Sequence, residues 1–278
     1  MKLEFDTDVA EFSAKALPYL QEKPSLHSFI ISLLNRYRQS GKTPHLMVRG
    51  LRDGVTTIVG LQTEPDRQLI LSDGENADLL ATRLAEKVPS LKGAHGPTPT
   101  VDTFANQWSA EHEVPLRLQM NLRLFELTSV TPARPCGGRF RLAQPQDEEL
   151  ILIWIKAFMD EAVPNDPRLP EEEIRKEIRE STEKQQYFIW EDGGRPVCLL
   201  GSKRETAIER WIAPVYTPPE LRGRGYGAAL VAEVSRRIVA AGKRGMLFTD
   251  LANPTSNSIY QKVGYYPLAD FKLYLFSK

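Results

Sequence analysis

From Asp147 to Ala162 the apolar residues Leu150, Ile153, Trp154, Ala157 and Phe158 fall at the spacing of one helix face. Pro170–Lys184 predicts a second, highly charged helix with Pro170 near its first turn. Tyr187–Trp190, Pro196–Leu200 and Ala207–Thr217 read as strands, the first two joined by the hairpin signal Asp192-Gly193-Gly194. Gly225–Ala241 places Leu230, Val231, Val234 and Ile238 on one face of a helix, and Gly242 stands where a C-cap glycine belongs. Met246–Leu251 then predicts a buried strand, Thr255–Val263 a short helix, and Tyr265–Phe276 a terminal strand or pair of strands. A short strand over Arg139–Ala143 opens this half, after a Pro/Gly-rich linker of Pro132, Pro135, Cys136, Gly137 and Gly138.

The N-terminal half repeats the order. Helices over Val9–Gln21 and Ser25–Arg38 precede strands near Leu46–Arg49, Val55–Gln62 and Gln68–Leu71, the first two joined by Asp53-Gly54. A helix (Ala77–Lys87), a glycine-rich strand region, a helix (Val101–Ala110) and a long strand (Leu116–Thr128) follow. Helix, helix, three strands, helix, strand, helix, strand thus occurs twice. The expectation is a mixed α/β protein built from two copies of one fold, residues 1–131 and 138–278.

The chain's 278 residues suit one large or two ordinary domains, and 41% hydrophobic with 26% charged residues is a globular mixture. Lys plus Arg and Asp plus Glu balance at 36 each, so no global charge argues for a nucleic acid or a membrane as partner. Cys136 and Cys198 are too few for a disulfide framework or a thiolate zinc site. Met1–Asp6 has no apolar h-region, and the apolar stretches fall short of the ~20 residues of a membrane span. A cytoplasmic setting is the resulting expectation.

The candidate chemistry lies in Val215-Tyr216-Thr217-Pro218-Pro219-Glu220-Leu221-Arg222-Gly223-Arg224-Gly225-Tyr226-Gly227-Ala228. A strand ends, two prolines stop it, and a glycine-rich turn opens a helix whose free N–H groups and dipole favour an anion. From Glu220 to Arg244, Arg222, Arg224, Arg236, Arg237, Lys243 and Arg244 face only Glu220 and Glu233, a balance suited to a pyrophosphate. Read blandly, the segment is a tight turn with solvated arginines. Gly223, Gly225 and Ala228 also fit the dinucleotide fingerprint, with Asp250 near the place of a ribose-binding acid. Pro218–Arg222 intervene between strand and first glycine, however, and about thirty residues after Asp250 are too few for the rest of a doubly wound sheet.

Arg222-x-x-Gly225-x-Gly227 resembles the [Q/R]-x-x-G-x-[G/A] signature of the GNAT superfamily of N-acetyltransferases. Asn253 to Tyr265 is similar to that family's N-x-x-[A/S]-x-x-x-Y-x-x-x-G-[F/Y] segment, in the expected order and spacing. The detailed resemblance covers Gly138–Lys278, and the element order extends it to the N-terminal half, as in tandem members. It implies two GNAT-like folds, 1–131 without the motif and 138–278 with it, each a mixed, mostly antiparallel sheet flanked by helices. It further implies that Val215–Thr217 splays from its neighbour at a bulge to admit an acyl-pantetheine arm. The backbone of Val215, Tyr216 and Thr217 would pair with that arm and polarise the thioester carbonyl. Backbone N–H groups of Arg222, Gly223, Arg224, Gly225, Tyr226, Gly227 and Ala228 would cradle the pyrophosphate. Asn253 and Asn257 would touch the pantetheine, or else cap the helix that follows.

Tyr260, at the place of the family's tyrosine, would protonate the departing CoA thiolate, or simply pack beside Ile259 and Val263. His27, His45, His95 and His112 all precede the linker, so a base in the C-terminal half must be a carboxylate, a tyrosine or water. Glu209 is the candidate, against a solvated strand-edge glutamate; Asp250 is a weaker one. Cys198 lies in an apolar strand and reads as a structural thiol. Asp160–Lys184, with nine acids and five bases, spans the helix–loop–helix that walls the acceptor site in relatives; it suits a cationic amine or is a solvated helix face. The expected activity is transfer of an acetyl group from acetyl-CoA, without a metal, to a primary amine on a small molecule or peptide. The alternative is a non-catalytic acyl-CoA-binding sensor of the same fold.

Overall fold

A computed structural model of the protein describes residues 1–164 and 166–276. Contacts divide the chain into two compact units. The first holds Met1–Leu124, Phe248–Asn253 and the stretch from Pro267 onward; the second holds Phe125–Leu247 and Pro254–Tyr266.

The first unit runs β1 (Lys2–Phe5), α1 (Val9–Leu20), α2 (Pro24–Ser40), β2 (Leu46–Arg52), β3 (Val55–Gln62), β4 (Leu69–Leu71), α3 (Ala77–Ala85), β5 (Gly93–Pro97), α4 (Thr98–His112) and β6 (Leu116–Leu127), whose last residues enter the second unit. Alternation along the strands makes a two-faced sheet. Met47, Val59 and Ile70 pack with Phe12, Ala16, Leu20, Ile30 and Leu34 of α1 and α2. Their neighbours Val48, Ile58 and Leu71 pack with Leu80, Leu84, Phe104 and Trp108 of α3 and α4. Local signals start the helices: Asp8 accepts the N–H groups of Ala10 and Glu11 at 2.8 Å, and Pro24 opens α2.

The second unit runs β7 (Arg139–Leu142), α5 (Glu148–Ala162), α6 (Glu171–Glu183), β8 (Tyr187–Asp192), β9 (Arg195–Gly201), β10 (Glu209–Trp211), β11 (Val215–Tyr216), α7 (Tyr226–Ala240), β12 (Arg244–Asp250) and α8 (Pro254–Val263), then passes into β13 (Tyr266–Phe276). Here too the strands alternate. Tyr187, Ile189, Leu199 and Tyr216 face Trp154, Ile155 and Ile178 of α5 and α6, whereas Phe188, Cys198 and Leu200 face Leu230, Val234 and Ile238 of α7. Strands β11-β9-β8-β7 form an antiparallel sheet, and β10 lies parallel to β12.

The expected mixed α/β fold with a repeated element order is present, and β1, absent from the sequence reading, completes the repeat as the counterpart of β7. Two expectations need correction. The division is not linear at 131/138, because β13 pairs antiparallel with β5, from Phe271↔Pro97 to Leu275↔Gly93, in the first unit. Glycine makes that approach possible: a Cβ on Gly93 would lie 2.0 Å from the Tyr274 carbonyl oxygen. The single strand expected over Ala207–Thr217 is two strands in two sheets.

Candidate functional site

That break builds the site. Glu209, Arg210 and Trp211 pair with Arg244, Gly245 and Met246, and the Ile212 N–H donates to the Met246 carbonyl at 2.9 Å. The chain then changes partner. Ala213 N–H donates to Gly201 O at 2.9 Å, Gly201 N–H to Pro214 O at 2.8 Å, and Val215 and Tyr216 pair with Leu200 and Leu199. Among the described residues no backbone bond joins β11 to β12, so the two strands part after Met246. Pro214 has no N–H to continue the first ladder. A Cβ on Gly201 would stand 2.8 Å from Ala213 O and 2.9 Å from the Pro214 ring, so the crossing depends on glycine there.

Beyond the split, Pro218 and Pro219 lead into a single 3₁₀ turn ending at Leu221, and Arg222 is extended. Gly223 and Gly225 take φ of +78° and +89°, the left-handed region open to glycine. Gly225 caps α7 with no side-chain acceptor, and the first helical bond closes from Ala229 N–H to Gly225 O at 3.0 Å. The N–H groups of the first turn, Tyr226, Gly227 and Ala228, are thereby without an intrahelical partner. Tyr226 anchors the helix start: its ring is buried and its hydroxyl donates to Asp192 at 2.5 Å, which raises the phenol pKa. A Cβ on Gly227 would meet only Thr217 Oγ1, at 3.6 Å, an ordinary contact. Packing therefore does not require glycine at 227.

The side chains around the split are tied to it. Thr217 Oγ1 donates to Cys198 Sγ at 3.2 Å, and burial pushes the Cys198 thiol up to about 12, where it is inert as a nucleophile. Arg222 donates through Nε to Thr217 O at 2.8 Å and through a terminal nitrogen to Glu161 at 2.6 Å. Exposed Arg224 reaches the Glu220 carbonyl at 3.4 Å. Tyr260, half-buried on α8, meets Tyr265 edge-on at 5.9 Å, and burial holds its phenol well above the ordinary tyrosine range. Asn257 lies inside α8 and so cannot cap it, whereas Asn253 immediately precedes the helix and belongs by its contacts to the first unit.

Glu209 is not brought to the split. It stands at the start of β10, before the parting, and its carboxylate accepts from the Thr206 hydroxyl. Nor is it the solvated edge residue of the alternative reading, being 1% exposed. The acidic stretch after Asp160 forms ion pairs: Asp160–Arg168 at 3.0 Å, Glu172–Arg179 at 3.0 Å and Glu177–Lys203 at 3.0 Å. Sequence reasoning missed Glu161 and Gly201. For Gly201 a signal existed, since Pro214 inside a presumed strand marks a break.

The corresponding junction of the first unit is closed. Strands β4 and β5 pair at Leu69↔Ala94 and Ile70↔His95, and a Cβ on Gly96 would lie 3.1 Å from Leu71 Cβ and O. A Cβ on Gly74, in the turn after β4, would be 2.5 Å from Thr57 O, and Lys23 and the Tyr19 hydroxyl both bind Asp73.

Residues 207–272 match the family model described as FR47-like protein. No curated protein matches the sequence at a significant level. Among solved structures, a GCN5-related N-acetyltransferase from Sphaerobacter thermophilus aligns with TM-score 0.66 at 17% identity, covering 98% of this chain and 94% of that one. A GNAT-family acetyltransferase from Colwellia psychrerythraea aligns over 100% of both chains with TM-score 0.64 at 10% identity. A tandem GNAT protein from the clavulanic acid biosynthesis pathway covers 99% of this chain and 98% of its own, with TM-score 0.59 at 12% identity. The matched segment lies across the split and its turn, and the chain as a whole has the fold of these GNAT-family acetyltransferase structures.

Proposed function

We propose that the second unit transfers an acetyl group from acetyl-CoA to a primary amine of a small molecule or peptide, by direct attack on the thioester. The observation that carries this reading is the parting of β11 from β12 immediately before an uncapped, glycine-opened helix. In this reading the unpaired edge of β11 takes an extended arm that leads toward the N–H groups opening α7. In this reading the pantetheine lies along Val215–Thr217, and the N–H groups from Arg222 through Ala228 take the pyrophosphate. Backbone donors on the split strand polarise the thioester carbonyl as charge develops on its oxygen.

The neutral amine nitrogen forms the new C–N bond as the C–S bond breaks, water takes the proton the nitrogen loses, and the CoA thiolate leaves. Tyr260 gives that thiolate its proton. Its phenol holds its proton at neutral pH, as a general acid must, while burial raises its pKa and makes it a weaker donor than an exposed tyrosine. Glu209 serves β10 in this reading rather than the amine. The closed junction of the first unit supports one CoA site per chain, with the first unit in a supporting role. The test is incubation of the protein with labelled acetyl-CoA and a panel of primary amines and peptides, with products read by mass spectrometry. Labelled amide supports transfer. CoA binding without turnover on any amine supports the sensor reading instead.

A further inference from the structure

Glu161 sits in the last turn of α5, with Asp160 beside it and no basic residue in that turn. A carboxylate there opposes the helix dipole, which favours cations at the C-terminus. The helix itself therefore gives no reason for Glu161. Its partners do. The carboxylate accepts from Arg222 at 2.6 Å and from the Tyr216 hydroxyl at 3.4 Å. The same guanidinium holds the Thr217 carbonyl at 2.8 Å and lies 5.8 Å from the Tyr216 ring centroid. Arg222 thus ties the two ends of the Thr217–Arg222 turn together, and Glu161 fixes the guanidinium that does so.

We propose that Glu161 is a positioning residue for the cofactor: acting through Arg222, it pre-sets the split strand and the phosphate turn before CoA arrives. The inference rests on the acetyl-CoA reading of the site. Pre-setting lowers the ordering cost of binding and leaves the chemical step alone. Both side chains are about half exposed, 47% for Arg222 and 46% for Glu161, so the effect is bounded by that of a surface pair, up to about fivefold in affinity.

The experiment is calorimetric titration of CoA into the full-length protein, the Glu161→Ala and Glu161→Gln variants, Arg222→Ala, and the double Glu161→Ala/Arg222→Ala variant. Glu161→Ala is expected to raise the CoA Kd about three- to fivefold, and the KM for acetyl-CoA equally, with kcat unchanged. Its Tm should stay level or rise, because an acid is removed from a helix C-terminus; a merely structural residue would lower Tm and leave Kd alone. Glu161→Gln keeps an acceptor oxygen and should recover most of the affinity. In the Arg222→Ala background the Glu161 substitution should add nothing. A wild-type Kd in Glu161→Ala, or full additivity in the double variant, overturns the inference while leaving the acetyl-CoA site standing. A wild-type protein that binds no CoA removes the site itself.

Discussion

In the proposed function Tyr260 serves the chemistry and Gly227 the binding, so substitutions there separate the two. Tyr260→Phe keeps the ring that packs on Tyr265 and removes only the hydroxyl, to which no described residue hydrogen-bonds. Stability should therefore hold, CoA affinity should change little, and kcat should fall ~10²-fold, the scale of general acid help. A near-normal kcat, measured where chemistry limits the rate, rules the tyrosine out as the acid. Gly227→Val tests the other half. The backbone there is ordinary helix and a Cβ meets nothing closer than 3.6 Å, so the variant should fold while losing tenfold or more in CoA affinity, ~1.4 kcal/mol. Gly225→Val differs in kind, because φ of +89° strains any branched residue and destabilises the helix start itself. Motif spacing alone singled out these positions for the proposal, since glycine, arginine and tyrosine at fixed intervals are legible in one dimension. Glu161 was illegible for the opposite reason. It acts across a gap of 61 residues, inside an acidic run that gives it no distinguishing neighbour.

Among elements, the periodic helices were the most readable and the strand ends the least. The face of α7 followed from its apolar spacing, whereas α5 buries Ile151, Leu152, Trp154 and Ile155 and leaves Ile153, which the spacing put on the apolar face, 54% exposed. The exchange of partners between β10 and β11 did not follow from spacing, because a change of sheet leaves no period of its own, only the proline at 214. The same holds for β13, whose sequence reads as a strand but does not name β5 as its neighbour. The crossing can be tested at Gly201. In Gly201→Ala the new methyl would stand 2.8 Å from the Ala213 carbonyl oxygen, so the strands must shift, at a cost of about 1–3 kcal/mol in stability. Urea unfolding should show a lower midpoint, and CoA binding should weaken as the split is displaced. An unchanged midpoint contradicts the close crossing described above.

In the whole molecule, burial pushes the phenols of Tyr187, Tyr260 and Tyr265 above their ordinary value. Below about pH 10 they make no pH-dependent contribution, since both states hold the proton. Above it the unfolded chain releases protons that the native state retains, so stability falls as pH rises. Absorbance at 295 nm should show these tyrosines ionising only as the protein unfolds; their titration at ordinary values in folded protein contradicts the burial. No helix of the described residues is long and apolar enough to cross a membrane. Two units share an element order, yet the strands part at only one of the two corresponding junctions. Titrating acetyl-CoA into the wild-type protein and into Gly227→Val by calorimetry tests that asymmetry directly. The account predicts one molecule bound per chain and at least tenfold weaker binding in the folded variant. Two molecules per chain, or the same affinity in folded Gly227→Val, would contradict it.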